Sequence, residues 1–273
     1  MEFLSLPPVR RALIAIAVSS LAFPLSGVLV LEMNLITLRF ALMHGALLGG
    51  AIAVAAAVNP LLPTIVIGAA LVAAIGRISR RTGQNPGFVT AMLMTISIAG
   101  AAVIVYRFNV PAKDTLAIIW GNVYALNTGD LLVTIGLAIA LIAVVIVWQS
   151  QVTAVLFDPE IAFTSGINEP LVYYAILGMV ALTVAVAMRL VGALLLDVLI
   201  LLPALAGRQL ARSSRQLFVL SSLAGLISGV GGFFLSIAVD IPVSTAAAAP
   251  AVLIVAIAAA VRKKQSSIPR VSK

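Results

Sequence analysis

The sequence predicts an all-α protein: a polytopic membrane bundle of about nine transmembrane helices, within a range of eight to ten. Three observations predict it. Hydrophobic residues make up 62% of the 273 residues and charged residues only 10%, with a mean hydropathy of +1.20; so few polar side chains cannot cover a soluble surface. The apolar residues also collect into runs of roughly 20, the length that crosses the hydrocarbon core as a helix. Finally, basic residues gather at the ends of those runs, where a spanning helix meets the headgroups.

The runs, in order, are Ala12 to Leu31, Phe40 to Val58, Leu61 to Gly76, Phe88 to Tyr106, Leu131 to Trp148, Leu171 to Met188, Leu190 to Ala206, Leu217 to Val239 and Val243 to Val261. Asn59-Pro60 and Pro63 divide the second from the third, because proline removes a donor from the helix ladder. Arg189 is read as the break between the sixth and the seventh. With no linker or repeat in sight, residues 1–273 form one transmembrane domain, ending in a basic tail at about 263–273 that is expected to be disordered.

One loop is built differently. After Trp148 come Gln149-Ser150-Gln151 and then Phe157-Asp158-Pro159-Glu160-Ile161-Ala162-Phe163-Thr164-Ser165-Gly166-Ile167. Asp158 can cap a helix, Pro159 suits its first position and Gly166 can end it. Phe157, Ile161 and Phe163 are too apolar to leave in water, so this short helix is expected to be gripped by a soluble partner.

Orientation follows from charge. If nine spans leave the C-terminus inside, twelve of the seventeen basic residues are cytoplasmic: Arg39, Arg77, Arg80, Arg81, Arg208, Arg212, Arg215, Arg262, Lys263, Lys264, Arg270 and Lys273. Arg10, Arg11, Arg107, Lys113 and Arg189 lie outside with Asp130 and Asp240, and the Asp158 helix lies inside. The net charge of +8 and pI near 10.6 therefore belong to topology anchors at a lipid bilayer and not to nucleic-acid binding. There is no Cys, which excludes thiolate chemistry. No G-x-x-x-x-G-K-[ST] loop occurs, so this chain binds no ATP; if ATP drives it, a separate subunit hydrolyses that ATP. No catalytic cluster points to an enzyme.

His44 is the only histidine, and Asp197 the only acidic residue well inside a span. An ionised side chain at mid-bilayer costs about 3 kcal/mol on insertion scales, so it faces a cavity or a partner. Two readings stand. In one, His44 and Asp197 are transient metal ligands in a pathway, weak enough to let an ion pass; in the other, Asp197 pairs with an arginine such as Arg189 and His44 bonds a carbonyl. Met33, Met43, Met92 and Met94 read as packing or lipid contact and not as soft metal ligands. The glycines of the second span (Gly45, Gly49, Gly50) and of the eighth (Gly225, Gly229, Gly231, Gly232) read as packing.

Four segments in register carry a resemblance. Val191-Gly192-Ala193-Leu194-Leu195 through Leu201-Leu202-Pro203-Ala204-Leu205-Ala206 resembles the V-G-x-L-L-x-x-x-L-L-x-x-P-A-x-A signature of ABC-transporter permeases for zinc, manganese and iron. Phe157-Asp158-Pro159-Glu160 with Ala162 and Gly166 resembles their F-D-P-E-x-A-x-x-x-G coupling loop. Trp120-Gly121-Asn122 through Asp130-Leu131-Leu132 resembles their short segment before a span, and Asp240-Ile241-Pro242 their outer-face D-x-P. The resemblance implies a type II importer permease in the cytoplasmic membrane of a prokaryote. It implies a second permease subunit, identical or not, cytoplasmic ATPase subunits that Phe157, Asp158, Pro159, Glu160, Ile161, Ala162 and Gly166 contact, and an extracytoplasmic binding protein. No cofactor is expected on this chain. The alternatives are a siderophore or cobalamin permease, and a proton-coupled secondary carrier using His44 and Asp197.

The second span departs from the family pattern G-D-A-x-S-H-A-x-x-P-G. Here it reads Arg39-Phe40-Ala41-Leu42-Met43-His44-Gly45-Ala46-Leu47-Leu48-Gly49. His44 is kept, while the acid four residues earlier is Phe40. Asp197 stands where the family has a small or hydroxyl residue, so the carboxylate is expected to have moved from the second span to the seventh.

Overall fold

The computed structural model describes residues 6–111, 121–157, 167–192 and 196–266. Each predicted run contains a helix: α1 Pro7–Glu32, α2 Ile36–Ala55, α3 Leu61–Thr82, α4 Pro86–Arg107, α5 Thr128–Val147, α7 Glu169–Val191, α8 Leu196–Leu210, α9 Ser214–Val239 and α10 Val243–Ser266. A nine-residue helix, α6 Gln149–Phe157, follows α5, and a single 3-10 turn, Val123–Ala125, precedes it. Eight of these helices are long and apolar enough to cross a membrane. The helix of the seventh run, α8, has only 15 residues.

Local chemistry explains the boundaries. Asn59 accepts from the Leu61 amide and Thr64 donates to the Pro60 carbonyl, which starts α3 after the proline break. Asn85 caps α4, and Asn127 with Asp130 forms a reciprocal capping box on α5. Gly83, at φ +66°, ends α3 beyond Arg80 and Arg81, whose charges suit a helix C-terminus. Helix α3 thus runs six residues past its apolar run.

Two expected boundaries are corrected. Arg189 lies inside α7, and the break comes at Gly192, where φ is +78° and a side chain would be strained. Helix α10 continues to Ser266, so Lys263 and Lys264, expected in a disordered tail, sit in its last turn. The Asp158 to Gly166 segment, expected to form a short helix, lies outside the described residues.

Helix α1 is the hub. It packs against α8, α9, α5 and α7, and 72% of its spanning window is buried. Close approach depends on glycine. A Cβ at Gly27 would overlap the Ile200 carbonyl of α8, and one at Gly225 of α9 would overlap the Ser20 carbonyl. That carbonyl is the one Pro24 leaves without its helical donor. Gly229 meets Ser20, Gly232 meets Ala247 of α10, and Gly45 and Gly49 meet α3. The packing reading holds for Gly45, Gly49, Gly225, Gly229 and Gly232, whereas Gly50 lines a cavity. Helices α2, α3 and α4 form a second group, joined to α1 through α7.

Candidate translocation site

Helices α1 and α8 run side by side in the same direction, since Gly27 abuts Ile200 and Ala204 and Glu32 pairs with Arg208 at 3.2 Å. Asp197, in the first turn of α8, lies eleven residues before Arg208, or about 16 Å of helix rise. In a hydrocarbon core of about 30 Å this is the middle of the bilayer. Helix α8 therefore begins at mid-depth, which accounts for its short length. A carboxylate in a helix's first turn is favoured by the backbone dipole.

Arg39, in the first turn of α2, reaches Asp197. Its Nη1 donates to Oδ1 of Asp197, and its guanidinium lies 4.3 Å over the centre of the Phe40 ring, a favourable cation–π placement. The Arg39 side chain is fully buried (0% exposed), whereas Asp197 is 37% exposed. Among the described residues, Arg39 Nε and Nη2 are buried without hydrogen-bond partners. The guanidinium is thus held by one hydrogen bond and one ring face.

His44 sits one turn beyond Phe40, with Nδ1 2.7 Å from the Phe40 carbonyl oxygen. A carbonyl only accepts, so Nδ1 carries a proton, and in the neutral ring Nε2 keeps the lone pair that could ligate a metal. No hydrogen bond or ion pair joins His44 to Asp197 among the described residues, nor do three or more His, Cys, Asp or Glu converge there.

At the end of α7, Arg189 does what one reading of Asp197 assigned it, with a different acid. It pairs with Asp130 at 2.7 Å and donates to Asn59 at 2.5 Å, tying the end of α7 to the start of α5 and the α2–α3 turn. Asp130 is nearly buried. Beside this clamp a cavity of about 440 Å³ opens among α2, α3 and α7, lined by Ala46, Gly50, Thr64, Asn122, Met188 and Arg189. A second cavity, of about 540 Å³, lies at the opposite end near Leu38, Arg80, Asn85, Tyr173 and Tyr174. Along α2, Arg39, Phe40 and His44 come between the two.

Asp240 ends α9 with φ +56°, a conformation aspartate tolerates, and the Ser236 hydroxyl donates to the Ile241 carbonyl at 2.6 Å. The D-x-P segment is thus a tight turn into α10, opened by Pro242. Arg39, read as a charge anchor, is the site residue that sequence reasoning missed. The available signal was its position: it replaces the first glycine of the family segment, directly before the other departure, Phe40.

The comparisons agree with this architecture. The chain is 28% identical over 243 residues to the high-affinity zinc uptake system membrane protein ZnuB of Haemophilus influenzae, covering 89% of this chain and 90% of that one. It is 22% identical to the manganese transport system membrane protein MntC of Halalkalibacterium halodurans, covering 88% and 82%. The fold matches a chain of PsaBC from Streptococcus pneumoniae, solved in complex with Fab, with a TM-score of 0.84 at 20% identity over 94% of this chain and 93% of that one. The ABC 3 transport family matches residues 5–262, and this multi-pass membrane protein, a transport permease and not an enzyme, belongs to it.

Proposed function

We propose that the chain is the membrane-spanning subunit of an ATP-binding-cassette importer that moves a divalent transition metal ion, zinc or manganese foremost, across the cytoplasmic membrane of a prokaryote. One observation carries the reading. Asp197 begins a half-depth helix near mid-bilayer and keeps 37% of its side chain exposed; a carboxylate at that depth is tolerated only against a partner or a water-filled path. A second permease subunit across that face would enclose the path. His44, with Nε2 free to ligate, supplies a second donor on α2. Two weak donors suit conduction better than a closed cage.

ATP is bound and hydrolysed by separate cytoplasmic subunits, and the Phe157 to Gly166 segment is where they push. An extracytoplasmic binding protein delivers the ion to the side of Asp240 and the Arg189 clamp. Family membership supports this over a proton-coupled carrier, which needs no such loop. The test is a paired substitution, Glu160→Arg with Ile161→Asp. Uptake should be lost and the ATPase should no longer co-purify, while the chain still inserts; unchanged uptake and unchanged co-purification would reject the reading.

A further inference from the structure

Three departures from the family pattern lie far apart in the sequence and together in space. Arg39 stands for a glycine, Phe40 for an aspartate and Asp197 for a small or hydroxyl residue; in the structure Arg39 bonds Asp197 and stacks on Phe40. A glycine at position 39 could not reach Asp197, and an aspartate at position 40 would compete for the guanidinium. The three residues form one self-neutralising unit.

We infer that Arg39 is a tethered cation that occupies the Asp197 carboxylate in the absence of cargo, so that a divalent cation reaches Asp197 only by displacing the guanidinium. The inference rests on the proposed function for the identity of the cargo. The attachment is suited to exchange. Arg39 makes a single hydrogen bond to one carboxylate oxygen instead of the two-point fork that makes arginine–carboxylate pairs strong. Two of its nitrogens stay without partners, and Asp197 remains open on another side. A divalent ion brings twice the charge of the guanidinium to that carboxylate. Once displaced, Arg39 stays close by and repels the bound ion, which lowers affinity and favours release. Arg39 then sets cargo affinity without touching the cargo.

The assembled transporter in lipid nanodiscs, titrated with Mn²⁺, tests this. Arg39→Gln should bind Mn²⁺ at least tenfold more tightly than the wild type, and Asp197→Asn added to it should abolish the gain. Equal or weaker binding by Arg39→Gln, or a gain that survives Asp197→Asn, overturns the inference. Should Arg39→Gln fail to accumulate, phenylglyoxal labelling of the wild-type protein, read at Arg39 by mass spectrometry, answers the same question. Labelling should rise when Mn²⁺ is present, because the displaced side chain leaves its buried position; labelling unchanged by Mn²⁺ overturns the inference. Normal metal uptake without an Arg39→Gln gain defeats the tethered cation alone. A gain through Asp197 in a transporter that takes up neither metal defeats only the importer reading.

Discussion

Replacing Asp197 by asparagine should destabilise the protein severely, because it strands a charge. The Arg39 side chain is fully buried, and among the described residues Asp197 is the only hydrogen-bond acceptor of its guanidinium. Removing one member of a buried pair costs about 3–5 kcal/mol, chiefly through the uncompensated charge that remains. Asp197 is itself 37% exposed, so part of its field is already screened and the lower end, about 3 kcal/mol, is expected. The Phe40 ring keeps some hold on the guanidinium, worth about 1 kcal/mol, and is present in both proteins. The assay is thermal unfolding of the purified chain in one detergent, run on Asp197→Asn, on Arg39→Met and on the double variant Arg39→Met/Asp197→Leu. The double variant should recover most or all of the loss, since an apolar pair of similar volume often equals or exceeds a buried ion pair. Phe40→Asp added to Asp197→Asn should also recover stability by placing a carboxylate beneath the guanidinium. An Asp197→Asn protein as stable as the wild type, or a double variant no better than the single, would refute the reasoning.

Other outcomes follow from the packing and the outer clamp. Gly27→Ala should destabilise by about 1–3 kcal/mol in the same assay, because its Cβ meets the backbone carbonyl of Ile200 and α1 must shift. Gly136→Ala, with nothing within 4 Å, should be neutral or slightly stabilising through helix propensity. Asp130→Ala removes both the Arg189 partner and the capping box of α5 and should cost more than Asn127→Ala, for which a cap loss of about 1 kcal/mol is expected. Single cysteines at Arg212 and Asp240, in a chain without native Cys, should label only from the cytoplasm and only from outside, respectively; the reverse pattern would overturn the orientation.

The spans were legible because periodicity and length are local properties, and the bilayer demands both of every crossing helix. Their ends were less so. Apolar content stops at Gly76, yet α3 continues through Arg77 to Thr82, since nothing at the headgroups interrupts the hydrogen-bond ladder until Gly83. Arg189 looked like a break because a charge interrupted an apolar run; in the structure Asp130 and Asn59 answer that charge, and the positive-φ backbone that Gly192 adopts makes the break. Asp197 was recognisable as an anomaly. Its partner was not, because Arg39 lies 158 residues away in sequence and no periodic pattern joins α2 to α8. What the sequence did hold was a coincidence of departures at Arg39, Phe40 and Asp197, and the fold turned that coincidence into contact.

The central claim is that this chain conducts a divalent metal along a path bearing Asp197. Its most direct test is the initial uptake of radioactive ⁵⁴Mn and ⁶⁵Zn by metal-starved cells lacking the chain, and by the same cells complemented with the wild type. Uptake of at least one of the two should fall sharply without the chain and return with it. Uptake of both metals that is indifferent to the presence of the chain would contradict it.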